Sequence, residues 1–215
     1  MNDPMSRRLP VYLLLDTSGS MMGEPIAAVR QGVKLLVSDL KSDPQALEVA
    51  YLSVITFDSN ARQVVPLTEL LVFQEPTIEA SGSTSLGEAL KLLEQCIDKE
   101  VRKATPQQKG DWKPLVFLMT DGEPTDSWES PADRIKKKKI GNLIACAAGP
   151  HADDSVLKRI TEIVVRLDTL QPDSLRAFFR WVSSSIKTTS QSIAQVAADA
   201  PINLPPPPPQ IQIVP

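Results

Sequence analysis

What most constrains the fold is a pattern that recurs along the chain. A short, continuous apolar run is followed by polar turn residues and then by a helical stretch with one apolar face. The first run, Leu9-Pro10-Val11-Tyr12-Leu13-Leu14-Leu15, stops at Asp16. Runs this short, without polar alternation, read as strands buried on both faces. Others lie at Glu48–Phe57, Leu115–Thr120, Ile140–Ala147 and Ile163–Leu167. Helical spacing separates them. Ile26, Val29, Val33, Leu36 and Leu40 recur within Pro25–Lys41, and Leu86, Leu90, Leu93, Ile97 and Val101 follow Ser85. Ser85 and Glu88 have capping-box spacing. Further helices are predicted over Pro131–Lys139 and Asp154–Ile160, and a last one from Pro172 toward Ala198. Such alternation predicts an α/β fold: a doubly wound, mostly parallel six-stranded sheet with helices on both faces. Asp58-Ser59-Asn60 reads as a hairpin turn into a short strand, Arg62–Val65, the one antiparallel edge.

In sheets of this kind ligands bind beyond the carboxyl ends of the strands, where the strand order reverses. The runs that end at Asp16 and Thr120 are the natural neighbours across that crevice. Three polar stretches converge there: Asp16-Thr17-Ser18-Gly19-Ser20, the helix entry Gly82-Ser83-Thr84-Ser85-Leu86-Gly87, and Thr120-Asp121-Gly122. Any one of them alone reads as a turn or a helix cap. Together they supply two carboxylates and several hydroxyls, the all-oxygen donor set that hard divalent cations prefer. Two carboxylates balance one Mg²⁺, and neutral hydroxyls add ligands without charge. With one histidine, His151, and two cysteines, Cys96 and Cys146, both on apolar stretches, a Cys/His zinc site is excluded. The cysteines read as buried free thiols.

The combination resembles the von Willebrand factor A (VWA) domain, a Rossmann-like fold, and its metal-ion-dependent adhesion site (MIDAS). The family pattern Asp-x-Ser-x-Ser, then Thr, then Asp falls on Asp16, Ser18, Ser20, Thr84 and Asp121, within a resemblance that covers roughly residues 8–190. Leu9–Met21, Leu52–Phe57 and Phe117–Asp126 are similar to the bacterial TerY-like branch, associated with tellurite-resistance and stress gene clusters. The resemblance implies a non-catalytic protein-binding module in which Mg²⁺, with Mn²⁺ as a substitute, docks an acidic residue of a partner. It also implies a protein kinase or a PP2C-type phosphatase as that partner.

Composition narrows the alternatives. A net charge of −3 and a pI near 5.3 argue against a nucleic-acid partner. No apolar stretch reaches membrane-spanning length. Arg7-Arg8 before Leu9–Leu15 mimics a signal peptide, but the run is short and lacks a small-residue cleavage site, so a cytoplasmic location is expected. The predicted divisions are a polar segment 1–8, a VWA domain 9–198 and a Pro-rich tail 199–215, whose run Pro205–Pro209 reads as polyproline II or disorder. Deleting 201–215 is expected to leave the domain folded. Glu123, Asp126 and Trp128 are candidate rim residues, His151 a strand-end loop residue, and Lys136–Lys139 a solvated helix end or an acidic-partner patch. Two rival functions remain open: a metal-dependent phosphohydrolase with Asp16 as nucleophile, and a structural module whose metal staples the loops. The first is weakened because Ser18 stands where a second carboxylate is wanted.

Overall fold

A computed structural model describes residues 6–193 and 204–215. Its centre is a sheet of seven strands: β1 (Leu9–Asp16), β2 (Ala50–Phe57), β3 (Ala61–Glu69), β4 (Leu115–Thr120), β5 (Asn142–Ala148), β6 (Ile163–Leu167) and β7 (Gln212–Ile213). Their order is β3-β2-β1-β4-β5-β6-β7. The five inner strands run parallel, and β3 and β7 are antiparallel edges. The doubly wound architecture is as the sequence predicts. The count is seven strands with two antiparallel edges, in place of six with one, because residues 204–215 return to pair with β6. A two-residue ladder after a proline run leaves no periodicity from which a strand is legible.

Among the described residues six α-helices cover the sheet: α1 (Glu24–Lys41), α2 (Pro44–Val49), α3 (Leu86–Glu100), α4 (Glu129–Lys136), α5 (Asp154–Ile160) and α6 (Pro172–Ile193). One face of the sheet packs on α1, α2 and α6 through residues such as Leu13, Val33, Phe117 and Phe179. The other packs on α3, α4 and α5 through Tyr12, Leu14, Leu93 and Leu157. All eight residues of β1 and of β2 are buried, which explains their unbroken apolar character.

Local departures from the sequence reading have identifiable causes. Ser42-Asp43-Pro44 ends α1 but also starts α2: Asp43 accepts a hydrogen bond from Ala46 N at 2.8 Å, and Pro44 takes the first helical position. β2 therefore begins at Ala50 and not at Glu48. β3 continues through Pro66 to Glu69, which an edge strand tolerates because its outward N–H groups need no partner. Arg8 is tied to Asp111 by a two-point contact, Nε to Oδ1 at 2.9 Å and Nη2 to Oδ2 at 2.6 Å. Cys96 and Cys146 are buried free thiols, and burial pushes the Cys96 thiol up to about 11. The expected extension of the last helix toward Ala198, and the boundary at 198/199, lie outside the described residues.

Candidate metal centre

The carboxyl ends of β1 and β4 stand side by side, with Leu15 opposite Met119. This pairing places Asp16 and Asp121 at the point where the strand order reverses. Beyond Asp16 the chain makes one 3₁₀ turn, Gly19–Met21, held down by the fully buried Met21. Four of the five predicted site residues are linked through this turn. Asp16 Oδ1 accepts a hydrogen bond from Ser18 N at 2.8 Å. Ser18 Oγ lies 3.1 Å from Ser20 Oγ, and the Ser20 hydroxyl donates to Asp121 Oδ1 at 2.9 Å.

Thr84 arrives on the segment before α3. Its N–H donates to Thr125 Oγ1 at 3.2 Å and its carbonyl accepts from Thr125 N at 2.9 Å. Its hydroxyl faces Gly122, 3.8 Å from where a Cβ would stand on that glycine. Among the described residues that hydroxyl makes no hydrogen bond, so it remains available as a ligand beside Asp121.

Backbone hydrogen bonds brace the three loops. Thr17 N donates to Phe57 O, Ser81 N to Thr17 O, and Gly19 N to Gly82 O, at 2.8, 2.8 and 2.9 Å. Gly82 has φ +70°, and a Cβ there would meet Ser59 Oγ at 2.3 Å, so only glycine lets this loop close on the Asp16 turn. The helix entry is braced differently from the expected capping box. The Ser85 side chain makes no cap hydrogen bond. Asp126 caps α3 from the β4–α4 loop, accepting from Gly87 N and Glu88 N at 2.9 Å each. A Cβ on Gly87 would lie 2.4 Å from Ser127 O, so glycine is needed for this approach.

Asp16 is wholly buried and Asp121 is 3% exposed, whereas Ser20 is exposed at the surface. Burial pushes the Asp16 carboxyl up to about 6, against hydrogen bonds from Ser18 and Thr120 that favour its charged form. Burial likewise raises Asp121, with Ser20 and the nearby His151 acting the other way. Two carboxylates withdrawn from water lack a full countercharge, and a divalent cation supplies it. Donor set, burial and surface opening therefore fit a small hard cation held by Asp16, Ser18, Ser20, Thr84 and Asp121.

Two neighbours of the site, Thr120 and Thr125, escaped the sequence reading as functional residues, and a third, Asp126, was expected at the rim and caps α3 instead. Thr120 donates its hydroxyl to Asp16 Oδ2 at 2.5 Å and so orients that carboxylate. Thr125 clamps the backbone of Thr84, and Asp126 sets the direction of α3. Thr120 was legible as the last residue of a strand beside the metal aspartate. Thr125 and Asp126 lie in a loop whose partners are some forty positions away, so no local pattern marks the clamp or the cap. Trp128 is half-buried against the α3–α5 side of the core, with Arg159 over its ring at 5.9 Å, and Asp58 serves the β2–β3 turn. Of the lysine run, Lys138 pairs with Asp98 and Glu94.

Residues 11–179 match the von Willebrand factor type A domain, and the chain belongs to that family. An uncharacterised protein of Synechocystis sp. is 34% identical over 173 residues, covering 74% of this chain and 37% of that protein. The chain thus spans little more than a third of that relative's length. Among solved structures, a von Willebrand factor type A protein from Catenulispora acidiphila aligns with TM-score 0.65 and 19% identity, over 85% of this chain and 43% of that one. Proximal thread matrix protein 1 of the mussel byssus, solved with a zinc-occupied MIDAS motif, aligns with TM-score 0.61 and 18% identity, over 84% and 48% of the two chains. At these identities the likeness establishes the fold. Among the described residues no helix is long and apolar enough to cross a membrane.

Proposed function

We propose that the chain is a non-catalytic docking module in which a divalent cation, Mg²⁺ by its oxygen-only donor set, accepts a carboxylate from a partner protein. The observation that carries this reading is the exposed Ser20. Its hydroxyl joins Ser18 and Asp121 at the surface, so a cation held there faces solvent on one side. Asp16 and Asp121 neutralise the ion, and a water on its open side is replaceable by an incoming acid. Around the opening stand the exposed Met22, an apolar contact point at 64% exposure, and the exposed Glu24 and Glu123. Those two acids repel an acidic surface, so the partner presents its single acid from basic surroundings.

A phosphohydrolase is the less favoured reading. Both oxygens of Asp16 are engaged by protein donors, Ser18 N and the Thr120 hydroxyl, which leaves a poor nucleophile. On the stretches Leu9–Met21 and Phe117–Asp126 we place the chain in the TerY-like branch, in a cytoplasmic stress system linked to tellurite resistance. A kinase or PP2C-type phosphatase of that system is the candidate partner. The deciding experiment is capture of partners from the native host with Mg²⁺ or with EDTA, for wild type and Asp121→Ala. Loss of the same partner in both arms is expected. A partner retained at full affinity in both arms refutes metal-mediated docking, and turnover of an aryl phosphate with Mg²⁺ refutes the non-catalytic assignment.

A further inference from the structure

The seat occupied by residues 204–215 is built like a peptide site. Helix α6 presents Trp181, whose indole Nε1 donates to the carbonyl of Pro205 at 2.9 Å. Prolines have no N–H and are pre-shaped as an extended helix, so a proline run has little conformational freedom to lose and offers its carbonyls to such a donor. The chain then turns, with Ile211 N bonded to Pro208 O at 2.9 Å, and inserts Ile211, 4% exposed, into the α1/α6 side of the core. Gln212 and Ile213 pair with Arg166 and Val165 of β6, and Val214 N donates to Val164 O at 2.9 Å. Proline run, apolar anchor and short strand thus engage the groove beside Trp181, a core socket and a sheet edge in turn.

The fit is partial. An open cavity of about 600 Å³ remains between the segment and α6, lined by Arg176, Arg180, Trp181 and Ser184 on one side and by Pro205 and Pro208 on the other. The ladder is two residues long, and the side chain of Ile213 is 65% exposed. Once β7 leaves, β6 presents the unpaired N–H and C=O groups of a sheet edge, the template on which an extended peptide adds as a strand.

We propose that the Trp181 groove and the β6 edge form a binding site for an extended peptide consisting of a proline run followed by an apolar strand. Residues 204–215 fill it as a tethered internal ligand, exchangeable for the same kind of segment from a second chain. The site lies on α6 and β6, away from Asp16 and Asp121, and does not depend on the metal reading. Tethering holds the internal copy at an effective concentration on the order of millimolar, which suppresses binding from solution in the wild type.

The test uses a fluorescently labelled synthetic peptide of residues 204–215 and the full chain. Ile211→Asp removes the apolar anchor of the tethered copy. Fluorescence anisotropy should show the peptide binding this variant about tenfold or more tighter than wild type, because internal competition is relieved. Adding Trp181→Phe, which deletes the indole N–H, should weaken that binding by about tenfold. A peptide whose prolines are replaced by serine should bind less well. Equal peptide affinity for wild type and Ile211→Asp, or for the proline and serine peptides, overturns the proposal. Where circular dichroism shows Ile211→Asp unfolded, the test passes to a milder variant. The milder Ile211→Ala, expected to open the seat in part, must then give an intermediate affinity or the proposal falls.

Discussion

The carboxyl end of the sheet and its β6 edge are both places where separate parts of the chain meet, and they are held together very differently. At the metal centre every loop is tied to another through the backbone: Thr17 to Phe57, Ser81 to Thr17, Gly19 to Gly82, Thr125 to Thr84. Side chains add Thr120 to Asp16 and Asp126 to the start of α3. At the β6 edge the contacts are a two-residue ladder extended by Val214 N to Val164 O, side-chain hydrogen bonds from Trp181 to Pro205, Gln212 to Asp168 and Lys158 to Pro215, and one buried isoleucine. Rigidity follows this difference. A centre that binds a small cation needs oxygens fixed before the ion arrives, whereas a strand laid on an edge can be replaced by a similar strand.

The largest effect is expected from the carboxylate at the heart of the first region. Asp16→Ala should abolish Mg²⁺ binding in calorimetry, a loss beyond the roughly 10–100-fold seen when only an outer-shell partner is removed. It should leave the metal-free protein folded, since it deletes a buried charge that β1 and β4 otherwise shelter from water. Thr120→Val tests whether orientation matters as well as charge. It leaves both carboxylates in place but frees Asp16 Oδ2, and metal affinity should fall by about tenfold. An unchanged affinity would mean that the Thr120 contact is ornamental to the site.

The second region should respond in stability and not in metal affinity. Ile211→Ala should cost about 2 kcal/mol in denaturant unfolding, at the low end of isoleucine truncations because the segment can relax. Its effect should add to that of Thr120→Val, since independent sites behave additively. A shift in Mg²⁺ affinity on Ile211→Ala would show the two regions to be coupled.

The smallest effect sharpens the scaffold beneath both. Asp39 of α1 meets Lys187 of α6 at 2.8 Å. Partial burial pushes the Asp39 carboxyl up, but its hydrogen bonds to Lys187 and Ser183 outweigh this and hold it below its ordinary value of 3.8. A lowered carboxyl stabilises the fold above that ordinary value and loses its contribution as pH falls through the lowered one. Asp39→Asn should therefore cost under about 1 kcal/mol near neutrality, because the pair is partly solvated, and nothing once acid has protonated the wild type. Urea unfolding of both proteins across that range is the check.

Particular residues show which features the sequence carried by itself. The alternation of apolar runs with helical periodicity determined the doubly wound sheet, because a strand buried on both faces must be apolar throughout. The spacing of Asp16, Ser18 and Ser20 determined most of the candidate cation site, because three oxygens on one turn are near each other in any fold. Tertiary structure alone decided what depends on contacts between distant positions. Ser85 and Glu88 promised a capping box, yet Asp126 caps α3 from the far side of the crevice. Thr120 reaches Asp16 only because β1 and β4 are neighbours. The Pro-rich tail expected over 199–215 reads as polyproline II or disorder, because a proline run carries no record of the surface on which residues 204–215 lie. The indole of Trp181 and the open edge of β6 turned that segment into the seventh strand, since both need a partner that local sequence does not provide.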